Sequence, residues 1–192
     1  MKTHHIPVVV IGGSQSGLSA SWCLQQQGIE HIVFERNTVA NAWRDQRWDS
    51  FCLVTPNWQC TLPGFSYTDE YGGGDPDGFM VRDEIIRYIE AYRRHFSPPL
   101  LEYTPVDKVR QHELGFEVLA GDERYIASDV IVATGAYHQP KLPELNKDFP
   151  DHVLQLHSST YRSPEQIPEG DVLIVGSGQS GCQIAEDLHL AG

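Results

Sequence analysis

Val8–Gly28 reads VVVIGGSQSGLSASWCLQQQG, and Val172–Gly192 reads VLIVGSGQSGCQIAEDLHLAG. In both, an apolar run enters a glycine turn that opens directly into helical sequence. Few folds accept that order. A continuous Val/Ile run suits a parallel strand covered on both faces, and a turn closing onto a helix gathers free amides and the positive dipole end at one point. One small residue permits the bend, a second lets a diphosphate approach the backbone, and a third lets helix and strand pack closely. Gly176, Gly178 and Gly181 fill those places in the second copy, with Gln179 and Ser180 between them. In the first copy they are Gly12, Ser14 and Gly17, around Gly13, Gln15 and Ser16. The Ser14 side chain must therefore turn away from a phosphate or hydrogen-bond to it.

The first copy predicts a strand over Ile6–Ile11, a helix to about Gln27 stopped by Gly28, and a strand over His31–Arg36. That is a βαβ unit. Glu35 lies about where an acid accepts from adenosine ribose hydroxyls, with Arg36 beside it. Residues 37–78, rich in aromatic residues, proline and glycine, read as long loops with short helices, a place where function often resides. Asp83 is expected to cap a helix to Phe96, with Ile85, Ile86, Ile89, Tyr92 and Phe96 on its inner face. Two or three short antiparallel strands turning near Gly121 then lead into a buried strand, Val130–Ala133. The predicted class is α/β. A Rossmann-like domain with a parallel sheet and a small antiparallel β-meander spans 1–137, a proline-punctuated linker 138–168, and the first β-α unit of a second dinucleotide-binding domain 169–192.

Composition excludes other classes. Fourteen basic against 26 acidic residues give a net charge of −12, which repels nucleic acid at long range. Four cysteines without CxxC or metal-ligand spacing imply a reduced, cytoplasmic setting and no metal. No apolar run approaches a membrane span, and no GxSxG elbow supports a hydrolase. Cys52 and Cys60 are too far apart for a short-spaced redox pair. Trp22, Trp43, Trp48 and Trp58 read as core or loop anchors. Oligomeric state stays open.

Two nucleotide fingerprints in one chain imply two nucleotides, and electron transfer between them is the economical reason. GGSQSG with FER, NAWRDQRWDSFCLVTPNW, VIVATG, LHSSTYR and GSGQSG occur here in order. This set resembles the two-dinucleotide-binding-domain flavoproteins, particularly the flavin-containing monooxygenase-like branch with its Baeyer–Villiger and N-hydroxylating members. The resemblance covers essentially the whole chain. It implies FAD at the first loop and NADP or NAD at the second, with a small organic molecule oxygenated through a flavin peroxide. Gly12, Ser14, Gly17 and Glu35 then hold the ADP part of FAD. Trp43 and Arg44 run along the cofactor, Val106 offers its backbone to adenine, and Ala133, Thr134 and Gly135 stand near the flavin. The branch's F-x-G-x-x-x-H-x-x-x-(Y/F) signature is half present: His157 and Tyr161 keep their spacing, while Asp151 and Val153 replace Phe and Gly. His157 is implied to act between domains, and Asn57 and Gln59 to bring amides toward the isoalloxazine. Strand plus helix alone cannot bury their apolar faces, so the last helix is expected to pack on the first domain or fray. Weak NAD(P)H binding by this chain is expected with it. The alternative expectation is a flavin-binding module without turnover.

Overall fold

The computed structural model describes residues 2–137 and 139–192; residue 138, where the linker is expected to begin, lies outside the described residues. The elements in chain order are β1 (Lys2–Ile11), α1 (Gln15–Gln26), β2 (His31–Phe34), α2 (Asn41–Asp45), β3 (Thr61–Leu62), β4 (Phe65–Ser66), α3 (Tyr67–Tyr71), α4 (Arg82–Phe96), β5 (Leu100–Leu101), β6 (Val106–His112), β7 (Gly115–Ala120), β8 (Glu123–Val132) and α5 (Gln179–Ala191). Among the described residues one sheet runs in the order β5-β2-β1-β8-β7-β6. The first four strands are parallel; β7 and β6 continue it antiparallel.

The meander is thus not a separate small sheet. β8 is one long strand whose first half pairs with β7 on one edge and β1 on the other, Glu123 facing Ala120 and Lys2. This also explains why β1 begins earlier than its apolar run. His4 contributes by stacking on Tyr125, ring centroids 4.8 Å apart, a cross-strand contact that hydropathy does not register. Farther along, the expected buried segment Val130–Ala133 is only partly covered, with Val132 at 69% exposure.

Two devices hold α1 against the sheet. Its C-terminus closes on Gly28 at φ +65°, the Gly28 and Ile29 amides donating to the Gln25 and Leu24 carbonyls, so the orphan carbonyls find partners. Inside, His31 Nδ1 donates to the Ile29 carbonyl (2.9 Å), which leaves Nε2 to accept from the buried Ser21 hydroxyl (2.7 Å). Though a serine–histidine pair, it faces β2 and is sealed from solvent.

The loops after β2 are core rather than surface. Trp48, Phe51, Phe65, Tyr67 and Met80 are buried against α1 and against Ile85, Tyr88, Ile89 and Tyr92 of α4. Tyr92 and Tyr88 donate to the Pro63 and Phe65 carbonyls (2.9 and 3.0 Å), so buried backbone that lacks sheet partners is still satisfied. Trp58 departs from the expected anchors and is 61% exposed. α4 starts one residue before Asp83: Val81 precedes the helix, and the Glu84 carboxylate accepts the Val81 amide (3.1 Å). The acid three residues inside the helix reaches back to the entering amide, which Asp83 is too close to do.

Val172–Val175 form no strand, contrary to the expected β-α unit, although α5 follows as predicted. A strand requires a neighbouring edge, and among the described residues none pairs with this run; Leu173 is 72% exposed. α5 nevertheless packs, with Ile184 and Leu188 against the α1–α4 core.

Ser21→Ala should leave His31 Nε2 buried without a partner. We expect a loss of about 1–3 kcal/mol in urea denaturation; an unchanged midpoint would show that the pair contributes nothing to docking α1.

Candidate dinucleotide site

The turn between β1 and α1 is built by close backbone contact. Gly12 adopts φ +111°, and a Cβ there would lie 2.4 Å from the Ala133 carbonyl oxygen; a Cβ on Gly17 would lie 1.7 Å from the Gly12 carbonyl oxygen. Both glycines are therefore sterically required. The Gly12 amide donates to the Phe34 carbonyl (2.8 Å) and the Ala133 amide to the Ile11 carbonyl (2.8 Å). The ends of β1, β2 and β8 thus meet at one point, with Thr134 and Gly135 leaving it. This is the carboxyl edge of the parallel strands, where α/β sheets bind ligands.

Electrostatics single out the same point. Ser14 precedes α1 but makes no side-chain cap, and the first turn of α1 has no acidic residue. By contrast α3 begins with Asp69 and Glu70 and α4 with Asp83 and Glu84, the Asp69 and Glu84 carboxylates accepting the amides that enter their helices. α1 leaves its positive end to an external anion. The loop fits a diphosphate, since Ser14 makes no side-chain cap, no acid stands in the first turn of α1, and the glycines let the backbone close up behind the helix start.

Glu35 closes the site on the β2 side. Its two carboxylate oxygens accept the Gly13 amide (2.8 Å) and the Asn37 amide (2.9 Å), which fixes the carboxylate and leaves lone pairs free for hydroxyl donors. Arg36 is exposed next to it. The Glu35 carbonyl accepts the Thr104 amide (2.8 Å), so the chain entering β6 at Val106 passes the same strand end. Trp43 joins from the other side, its Nε1 donating to Gln15 Oε1 (3.2 Å), whereas Ser16 stays exposed. Arg44 faces elsewhere than the expected run along a cofactor: its guanidinium pairs with Glu90 (2.7 Å) and Thr38 Oγ1 (2.8 Å), bracing α2 on α4.

The second loop repeats the turn without the surroundings. A Cβ on Gly181 would lie 2.0 Å from the Gly176 carbonyl oxygen, yet Gly176 and Gly178 have open space around them. Gly178 precedes α5 with no cap and no acid in the first turn. Ser180 lies exposed in that turn, while Gln179 Nε2 donates to the Cys52 carbonyl (3.1 Å). Gln183 brackets the same residue, giving Nε2 to the Cys52 carbonyl (2.9 Å) and accepting its amide (3.4 Å). The helix expected to pack or fray is held to the first unit by these amides.

The three residues expected near the chemistry lie on the aromatic-loop side of the fold. Asn57 is buried, with Nδ2 donating to the Asp75 carbonyl (2.9 Å) and Oδ1 lacking a partner among the described residues. His157 is half-buried, and its Nδ1 accepts from the Ser159 hydroxyl and amide (2.8 and 3.1 Å). Tyr161 is buried and donates to Asp187 of α5 (2.6 Å). Burial and that carboxylate push the phenol above its ordinary value, so it stays a donor. Residues that sequence reasoning passed over include Glu102, which accepts the Val39 amide (2.8 Å) and pairs with Arg93 (3.2 Å), and Arg47. The four-residue spacing of Trp43 and Arg47 was the available signal for the latter.

Because backbone crowds the would-be Cβ, Gly17→Ala should cost about 2 kcal/mol or more. Gly178→Ala, at φ −80° with open space around it, should cost under about 1 kcal/mol. Parallel denaturation of the two variants checks the contrast, and equal losses would contradict the packing described for the first loop.

Comparison with known proteins agrees with this arrangement. An uncharacterized CzcO-like oxidoreductase of Geobacillus kaustophilus is 39% identical over 186 residues, covering 96% of this chain and 52% of its own length. A probable indole-3-pyruvate monooxygenase of Arabidopsis thaliana, YUCCA1, is 31% identical over 97% of this chain and 46% of its own. The solved flavin-containing monooxygenase from Stenotrophomonas maltophilia superposes with a TM-score of 0.85 at 30% identity, covering 99% of this chain and 56% of that one. The chain spans about half the length of the curated relatives it matches. A family match over residues 9–192 takes in both glycine loops and all that lies between them, and the chain accordingly belongs to the pyridine nucleotide-disulphide oxidoreductase family.

Proposed function

We propose that this chain contributes the FAD-binding part of an FAD- and NAD(P)H-dependent oxidoreductase of monooxygenase type that acts on a small organic substrate. The observation that carries the reading is the first loop: a helix start with neither cap nor acid, cradled by glycine backbone and flanked by a fixed carboxylate. In this reading residues 1–137 hold FAD, 138–168 link, and 169–192 begin the unit that takes NADP or NAD. Bound FAD supplies the chemistry, accepting hydride from reduced nicotinamide and activating oxygen, and the protein supplies position and dryness.

The roles proposed for the chain are those the family resemblance implies. Amides at the start of α1, residues 14–17, take the diphosphate, and the free lone pairs of Glu35 take ribose hydroxyls. The backbone of Ala133, Thr134 and Gly135 borders the isoalloxazine, and Val106 the adenine. Gly176, Gly178 and Gly181 offer a second diphosphate the same kind of helix start. Asn57 is the amide offered to the flavin, supported by an Oδ1 that has no partner among the described residues. Tyr161 holds α5 in place through Asp187, and His157 shapes the turn that leads to it. The carbonyl and amine oxygenations of the wider branch leave the substrate class to experiment.

Titration followed by flavin fluorescence should give stoichiometric FAD binding, and Glu35→Ala should weaken it at least tenfold, the loss of hydrogen bonds to a charged acceptor. Anaerobic mixing of the FAD-loaded protein with excess NADPH then tests hydride transfer. Bleaching of the flavin is expected; a flavin that stays oxidised would refute NAD(P)H dependence.

A further inference from the structure

Arg47 is left over by everything described so far. Its guanidinium carbon stands 5.2 Å from the Trp43 ring centroid and 5.5 Å from that of Phe51. Its hydrogen bond runs from Nη1 to the carbonyl of the preceding residue, Gln46 (2.9 Å). Arg44, Arg82, Arg93, Arg110 and Arg124 each face a carboxylate. Among the described residues Arg47 has none. A half-buried cation without an anion is costly, and in a chain of net charge −12 an acid could readily have been placed beside it. Burial depresses its proton affinity.

The surroundings say where the missing anion would lie. Trp43, on which Arg47 stacks, is hydrogen-bonded to Gln15 in the first turn of α1. Arg47 therefore stands beside the start of α1, with donors to spare. Aromatic packing on Trp43 and Phe51 holds the fork in place, so little side-chain entropy is lost when it is used.

We propose that Arg47, pinned by Trp43 and Phe51, binds a phosphate or carboxylate oxygen of a ligand lying across the first glycine loop. A guanidinium fork suits either oxyanion in a bidentate pair. The inference rests on the first loop being a dinucleotide site, and the two can fail separately.

The test compares wild type with Arg47→Met and Arg47→Lys in three measurements: ADP binding by calorimetry, FAD binding by flavin fluorescence, and perturbation of the bound flavin spectrum by phenylpyruvate, a carboxylate probe. If the anion is the dinucleotide diphosphate, Arg47→Met weakens ADP and FAD at least tenfold and lowers the salt dependence of binding, while Arg47→Lys retains part of both. If it is a ligand carboxylate, ADP and FAD affinities hold and the phenylpyruvate response falls at least tenfold. Either result supports the assignment. Unchanged binding of all three probes by Arg47→Met, with at most a lower melting temperature, overturns it and makes Arg47 a packing brace. Wild-type protein that binds neither ADP nor FAD overturns this inference together with the reading it rests on.

Discussion

The structure depends on one close approach of backbone to backbone. Gly12 lies against the Ala133 carbonyl, and Gly17 against that of Gly12, so tightly that a methyl group at either position has no room. Three consequences follow from it. The strand ends are brought level, α1 starts beside them with its amides exposed, and Glu35 falls within reach of the Gly13 amide. Net charge is irrelevant to such a site, because the attraction comes from oriented peptide dipoles rather than from basic side chains. This is how a strongly acidic chain can still present an anion-binding point.

The second loop shows what the first would be without neighbours. Its internal turn is the same, with Gly181 against the Gly176 carbonyl, but among the described residues nothing crowds a Cβ at Gly176 as Ala133 crowds Gly12, and the preceding run pairs with no strand. Local sequence is sufficient for the turn and the helix; the sheet around it is a tertiary property. What anchors α5 is the packing of Ile184 and Leu188 on the core together with side-chain hydrogen bonds, from Gln179 and Gln183 to Cys52 and from Tyr161 to Asp187.

Much of this was legible in the sequence where one residue type has one physical reason to be present. Glycines that must accept positive φ, the Gly28 helix stop and the apolar face of α4 belong to this group. The rest depended on contacts between distant residues. That β8 serves two neighbours follows from Tyr125 stacking on His4 and from the pairing of Lys2 with Glu123, and neither residue is apolar enough to announce a strand. That the loops between α2 and α4 supply core side chains follows from Trp48, Phe65 and Met80 filling space under α4. Arg44 and Arg47 show the same limit. The two arginines lie three positions apart, and only the position of Glu90 on α4 assigns one to a brace and leaves the other free to meet a ligand.

The central claim is that main-chain amides at the start of α1 hold the diphosphate of FAD. A crystal structure of the chain grown with FAD tests it most directly. The account predicts diphosphate oxygens within hydrogen-bonding distance of the amides of residues 14–17 and the ribose on Glu35. Density for the cofactor anywhere else, with that loop empty, would contradict it.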